Sequence, residues 1–347
     1  MSRAASDAAS AAPRLRIPRI GPTNLRLLAL LGGLVALFAL LLGDRLFTPA
    51  ALQSMAFQMP ELGILSLAMM VPLLSGGLDL SIIATADLCA LTMAYVLTHF
   101  VPAGPGLGGV GLGGVGLGWV LGQVAALAAG LALAAAIGLL NGFVIARLGV
   151  SPILATLGTM TMVKGIGIGL THGEVISGFP APVVFIGNGT VLGVPVPLIV
   201  FALVALPVSV LLTRTPLGHA VAMTGSNEAA VRYSGVDTRR VLTRVYVLSA
   251  LLSAVAAVVM MARFNSANAA YGESYLLVTI LAAVLGGIDP MGGFGRVGGL
   301  VLSLVILQLI STAANLLGFD QFLTLAVWGG ILVAVAGANR LRDRLGV

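Results

Sequence analysis

The sequence predicts an all-α, polytopic membrane protein of about ten transmembrane helices with broken or re-entrant elements, and three observations carry that prediction. The 347 residues are 59% hydrophobic and 9% charged, with a mean hydropathy of +1.09, whereas soluble domains carry about 25% charged residues. The apolar residues gather in runs near the length, about 20 residues, that crosses a bilayer as a helix. The basic residues gather as well: thirteen of the eighteen fall before residue 27, between 214 and 244, or after 338. A net charge of +6 and a pI near 10.2 would otherwise suit nucleic acid. Charges confined between apolar runs are topology signals instead, and no nucleic-acid partner is expected.

Taken in order, the runs place spans at 27–42, 52–74, 82–99, 119–146, 153–170, 194–212, 241–262, 276–285, 298–316 and 321–338. The tail 1–26 holds Arg3, Arg14, Arg16, Arg19 and Arg26 and starts in the cytoplasm by the positive-inside rule. Six crossings bring the chain back inside at Arg214, and four more bring it back at the tail 339–347 with Arg340, Arg342 and Arg344. Arg147 and Arg296 also fall inside, while Arg45 and Arg263 fall outside. The first run ends at Gly43-Asp44-Arg45 with no small-residue cleavage site, so it reads as an uncleaved anchor. The lone Cys89 rules out an intramolecular disulfide. The eighth run is short for a crossing, which suggests a broken or re-entrant element.

Three connections stand out. Residues 104–118 hold nine glycines in fifteen positions and read as a flexible outer loop. Residues 171–193, with Gly178, Pro180, Pro182 and Asn188-Gly189, form a second outer loop rich in turn residues. Residues 214–244 are the longest charged passage between apolar runs, with five arginines against Glu228 and Asp237. There Ser226 or Asn227 is placed to cap a short helix that Gly235 closes, and Asp237 to cap the next one. Such a helix at the membrane face either offers a grip to a soluble partner or simply connects spans.

Candidate chemistry is sparse. No Gly-x-x-x-x-Gly-Lys-Ser/Thr occurs, and the only lysine, Lys164, sits in an apolar run, so the chain has no P-loop of its own. His99, His172 and His219 lack metal-ligand spacing, and neither Gly-x-Ser-x-Gly nor His-Glu-x-x-His is present. The chain is therefore read as a non-enzyme. Gly76-Gly77-Leu78-Asp79-Leu80-Ser81 and Gly286-Gly287-Ile288-Asp289-Pro290 echo each other, each breaking an apolar run with two glycines and an aspartate. Asp79 or Ser81, and Asp289, are expected to cap the following helices, or else to line a substrate route where helices are interrupted. Glu61, Asp87 and Lys164 lie within spans and must face protein or water. Lys164, about 10 Å by helical rise from the outer end of its span, is expected to snorkel, pair or contact substrate. Thr156, Thr159 and Thr161 share that span with Gly165 and Gly169, whose spacing favours close packing. Those threonines either bond a polyol or their own backbone.

Several passages together resemble the permease subunit of ribose-type, carbohydrate-uptake ABC importers: the Gly76 to Ser81 passage, Asn141-Gly142-Phe143, the run from Pro152 to Met160, Ile176-Ser177-Gly178, Gly225-Ser226-Asn227-Glu228-Ala229-Ala230 with Ser234-Gly235, and Gly286-Gly287. The likeness is collinear over about residues 60–335. It implies a permease dimer, of two copies or of this chain with a paralogue, and two cytoplasmic ATPase subunits that bind ATP and Mg. It also implies a periplasmic or lipid-anchored sugar-binding protein and a place in the bacterial inner membrane with both termini cytoplasmic. Asn227, Glu228, Arg232 and Gly235 would then meet the ATPase, and Asp79, Ser81, Asn141, Thr156, Thr159, Lys164 and Asp289 are candidates for the translocation path. Asp289-Pro290-Met291 and the glycine-rich loop depart from the family pattern. The competing class is a secondary transporter driven by an ion gradient through Asp79, Asp87, Glu61 or Lys164.

Overall fold

In the computed structural model, which describes residues 22–101, 117–320, 322–331, 333 and 337, the chain is a helical bundle. Its helices are α1 (Pro22–Leu42), α2 (Pro49–Leu74), α3 (Ile82–His99), α4 (Leu117–Ala146), α5 (Pro152–Thr171), α6 (Ala181–Asn188), α7 (Val196–Arg214), α8 (Pro216–Tyr233), α9 (Thr238–Phe264), α10 (Tyr275–Leu285) and α11 (Val297–Leu316). A further apolar helix, α12 (Phe322–Ile331), follows. Among the described residues eight helices are long and apolar enough to cross a membrane, and α10 and α12 are shorter. Nine of the ten expected spans thus coincide with helices, and the tenth, 321–338, does so through Ile331, with most of its later residues outside those described. The glycine-rich passage 104–118 falls almost wholly outside the described residues, as do the two tails.

Burial sorts the helices. α2, α3 and α9 are buried along most of their length and form the centre, with α11 largely enclosed beside them. α1, α4, α5 and α7 expose most of their apolar side chains, which is how lipid-facing helices of a bundle read. α4 crosses α9 closely: a Cβ on Gly138 would lie 2.7 Å from the Val247 Cα, and one on Gly142 2.8 Å from the Thr243 Cα. Small residues four apart let the two backbones touch. The spacing at Gly165 and Gly169 does not serve this purpose, because nothing described lies within 4 Å of a Cβ at either position.

Two ends of the bundle are distinct. One carries Arg147, Arg214, Arg232, Arg239, Arg240 and Arg244 and gathers the α2–α3 corner, the α4–α5 turn, α8 and the loop 286–296. There the Gly293 amide donates to the Leu74 carbonyl at 2.9 Å. The other end gathers the segments after α5 and α9, tied by antiparallel pairing of β1 (Ile176–Ser177) with β4 (Ser266–Ala267). A small hairpin of β2 (Thr190–Val191) with β3 (Val194–Pro195) follows α6. The segment 171–193 is therefore more than a turn-rich connector. The Asn188 side-chain amide donates to the carbonyls of Ala262 and Arg263 at 3.0 and 3.1 Å, completing the C-terminus of α9.

The echoing glycine pairs share one geometry. α2 ends in a Schellman turn in which Gly76, at φ +79°, donates to the Leu73 carbonyl and Gly77 to the Pro72 carbonyl. α10 ends the same way, with Gly287 donating to Val284 and Ile288 to Ala283. Both helices end at the arginine-rich end, so the two echoing units run in the same direction. α10, with 11 residues, spans only about 16 Å of rise, half a bilayer.

Candidate functional site

After its turn at Gly76 the chain does not stay at the rim. The Ser249 hydroxyl touches both the Ala68 carbonyl, at 3.0 Å, and Asp79 Oδ2, at 2.9 Å. Asp79 therefore lies level with Ala68, about 9 Å by rise inward from the end of α2 at Leu74. The α2–α3 corner is re-entrant, and the fully enclosed Asp79 is its hub. Asp79 Oδ1 accepts from the Ser81 amide at 3.0 Å and the Ser81 hydroxyl at 2.6 Å. Ser81 Oγ in turn accepts from Asn141 Nδ2 at 2.8 Å, and Asn141 Oδ1 accepts from the Thr159 hydroxyl at 2.7 Å. Thr156 Oγ1 accepts from the Leu80 amide at 3.1 Å and donates to the Leu78 and Pro152 carbonyls.

Five of the seven residues proposed for the path, Asp79, Ser81, Asn141, Thr156 and Thr159, thus form one network. It joins the corner to α4, α5 and α9. Neither Asp79 nor Ser81 caps α3, since Ser81, the residue before the helix, makes no side-chain cap bond. Their oxygens are committed to Ser249 and Asn141 instead. An unpaired carboxylate at this depth would cost several kcal/mol, so a ring of hydroxyl and amide donors is what allows it to be there. The chain's own sequence did not single out Ser249, nor Tyr246, whose hydroxyl packs where a Cβ on Gly77 would lie at 2.5 Å.

Lys164 and Asp289 lie elsewhere. Lys164 pairs with Glu273, and the Gly272 amide donates to Asp87 Oδ1 at 3.2 Å and Oδ2 at 3.3 Å. Lys164 is five residues along α5 from Thr159, and Asp87 six from Ser81, so this second polar layer sits one to two turns above the first on the same two helices. The segment between β4 and α10 reaches down to it from the opposite end, which explains why α10 is short. Glu61 belongs to a third group: its Oε1 accepts from Arg263 Nη1 at 2.8 Å and the Tyr275 hydroxyl at 2.6 Å. That ion pair accounts for an arginine on the arginine-poor end. Each ionisable group an ion-driven transporter would use is bonded to protein.

Asp289 does not cap α11 either. α11 begins at Val297, too far along the chain. Asp289 closes its own turn, accepting from the Met291 amide at 2.9 Å while its amide donates to the Phe294 carbonyl at 3.0 Å. It stands in the loop whose Met291 and Gly292 pack on Gly76 and Gly225, rather than in the buried network.

The passage 214–244 forms a longer helix than the sequence suggested. Thr215 caps it, accepting from the Gly218 amide at 3.2 Å, with Pro216 at the first position. α8 then breaks at Asn227, whose φ of −163° and ψ of 94° are extended. Asn227 Oδ1 accepts from the Ala230 amide at 3.0 Å and so starts a second short helix, as its residue type predicted. Gly235, at φ +84°, ends that helix with its amide on the Arg232 carbonyl at 3.1 Å. Asp237 Oδ1 caps α9 by accepting from the Arg240 amide at 3.1 Å. Glu228 Oε1 accepts from the Thr238 hydroxyl at 3.1 Å and fastens the short helix to α9. Glu228 and Arg232 border a cleft of 890 Å³ that runs to Gly76, Arg147 and Tyr246.

The first half of α8 is locked against the corner. A Cβ on Gly225 would lie 2.1 Å from the Leu74 carbonyl oxygen and 2.6 Å from the Gly293 amide. α8, the end of α2 and the loop after α10 therefore touch backbone to backbone. The second half projects outward, and Tyr233 at its tip is 93% exposed.

Residues 51–336 match the family described as branched-chain amino acid transport system, permease component. The ribose import permease protein of Bacillus subtilis is 34% identical over 313 residues, covering 88% of this chain and 91% of that one. The autoinducer 2 import system permease protein of Yersinia enterocolitica is 31% identical over 280 residues, 79% of this chain and 78% of its own. The Salmonella typhi protein of the same description is 31% identical over the same length. No solved structure matches this chain.

Proposed function

The chain belongs to the family of branched-chain amino acid transport system permease components, and from that membership we propose that it is the membrane permease subunit of an ATP-driven ABC importer. It carries a sugar, a pentose, hexose or related polyol, across the bacterial cytoplasmic membrane by alternating access, with both termini in the cytoplasm. A sugar is favoured over a branched-chain amino acid by the ribose and autoinducer 2 importers among its relatives. It acts as a dimer, with a second copy or a paralogue, with ATP and Mg on a separate ATPase and the sugar delivered by a binding protein. The chain itself catalyses no reaction.

The observation that carries the coupling part is the backbone contact of α8 with the α2–α3 corner. An ATPase gripping the projecting helix at Asn227, Glu228, Arg232 and Gly235 moves α8, and with no side chain at Gly225 to absorb the motion, Leu74 moves with it. The corner beyond Leu74 holds Asp79, whose bonds reach α4, α5 and α9. Displacement at the rim is thereby passed to the helices lining the polar layers, as bistable packed elements pass it in other transporters.

Liposomes holding the chain, its co-purifying ATPase and a sugar-binding protein supply the test. Labelled ribose is expected to accumulate only with ATP on the ATPase side, and labelled leucine not at all. Uptake by the chain alone under an ion gradient would overturn the ATP-driven assignment. Leucine uptake at the rate of ribose would overturn the sugar.

A further inference from the structure

Beside the α4–α9 crossing, on the outside of the bundle, lies a cavity of 460 Å³ lined by Leu139, Phe143, Arg147, Arg239, Arg240 and Arg244, with Thr243 between them. Along α4 and just past its end the order is Leu139, Phe143, Arg147, at steps of four residues, so one wall runs from apolar to cationic over about 12 Å. Leu139 and Phe143 are 53% and 51% exposed. Across from them α9 presents Arg239, Arg240 and Arg244 within its first two turns. Of the four arginines only Arg240 has an acidic partner among the described residues, Asp237 at 2.9 Å, and no acidic side chain lines the cavity.

The helices that carry these groups are held in place. Gly138 and Gly142 seat α4 directly against the backbone of α9, so the separation of the two arginine-bearing helix ends is fixed by a close helix contact. A soluble anion would use the arginines and leave the apolar wall unexplained. An acidic protein segment would likewise stop at the rim, because the wall faces the lipid-exposed side of α4. An amphiphile with an anionic head and an acyl chain satisfies both halves, since guanidinium forks bind phosphate oxygens and the apolar wall continues into the hydrocarbon layer.

We propose that this cavity binds the phosphate headgroup of an anionic phospholipid, held by Arg147, Arg239 and Arg244 with its acyl chain along Phe143 and Leu139. The site lies in the leaflet at the arginine-rich end. It depends on α4 and α9 crossing the membrane and not on what the protein transports.

The full chain, purified in detergent, is exposed to equal amounts of phosphatidylglycerol and phosphatidylcholine of the same acyl length, and retained lipid is measured by native mass spectrometry. The wild type is expected to retain phosphatidylglycerol preferentially. The Arg239→Gln/Arg244→Gln double variant should lose about fivefold of that preference per arginine, while the Arg239→Lys/Arg244→Lys pair keeps most of it. Glycerol phosphate separates headgroup from lipid: Phe143→Ser should weaken retention of the lipid and leave competition by glycerol phosphate unchanged. Helical circular dichroism confirms that each variant is folded. Equal retention of the two lipids by the wild type would overturn the proposal. So would an unchanged preference in the glutamine variant, including the case in which that variant loses a co-purifying ATPase instead, which would make the patch a protein contact.

Discussion

Asn141 is the side chain on which the buried network turns, because its amide donates to Ser81 and accepts from Thr159. Interhelical hydrogen bonds in membranes average about 0.6 kcal/mol each, but a group left buried without a partner costs about 1–3 kcal/mol. The second effect dominates here, since Asn141→Leu leaves the buried Thr159 hydroxyl without its acceptor, while the Ser81 hydroxyl keeps its bond to Asp79. The variant should be less stable by about 1–3 kcal/mol, measured by reversible unfolding in mixed micelles. Thr161→Val is the comparison: that hydroxyl is exposed and bonds the Leu157 carbonyl of its own helix, so the stability should stay within about 0.5 kcal/mol. The residue types of the network were legible because polar groups in apolar runs are costly and therefore conspicuous. Ser249 escaped notice because a small hydroxyl in a span usually bonds its own helix, and its partner stands 170 positions away. The partner of Lys164 was hidden for a similar reason: Glu273 lies in a loop whose descent into the bundle has no periodic signal.

At the scale of elements, α8 is two helices joined at Asn227, and its outer half depends on Gly235. Proline at that position would need φ near −65° where the chain holds +84°, and would remove the amide that bonds Arg232. Gly235→Pro is expected to insert normally, since no span changes, and to lose the co-purifying ATPase, as read by pull-down from solubilised membranes. Retention of the ATPase at the wild-type ratio would remove the short helix from the coupling role. Caps and the αL glycine were visible in the sequence, because they are local. The inner half from Pro216 was taken for loop, although Thr215-Pro216 is a proper start, since its charged and mixed composition masks helical periodicity. The helix α6 was missed for the opposite reason, as its eight residues are bracketed by the turn formers that suggested a loop.

For the whole molecule, the positions of the apolar helices followed from hydropathy, because lipid forces each backbone segment to satisfy its own hydrogen bonds. What hydropathy does not encode is depth. The α2–α3 corner and the segment before α10 enter the bundle from opposite ends, and each was placed by side-chain partners distant in sequence. The proposed coupling runs from α8 through Gly225 to the corner. The direct measurement is sugar taken up per ATP hydrolysed in liposomes with the ATPase and binding protein. Gly225→Ala puts a methyl group where the Leu74 carbonyl oxygen is 2.1 Å away, forcing α8 off the corner. This variant is expected to bind the ATPase and hydrolyse ATP still, while its uptake per ATP falls at least tenfold, by roughly 1.4 kcal/mol or more of lost coupling. Uptake per ATP equal to wild type would contradict the proposed coupling.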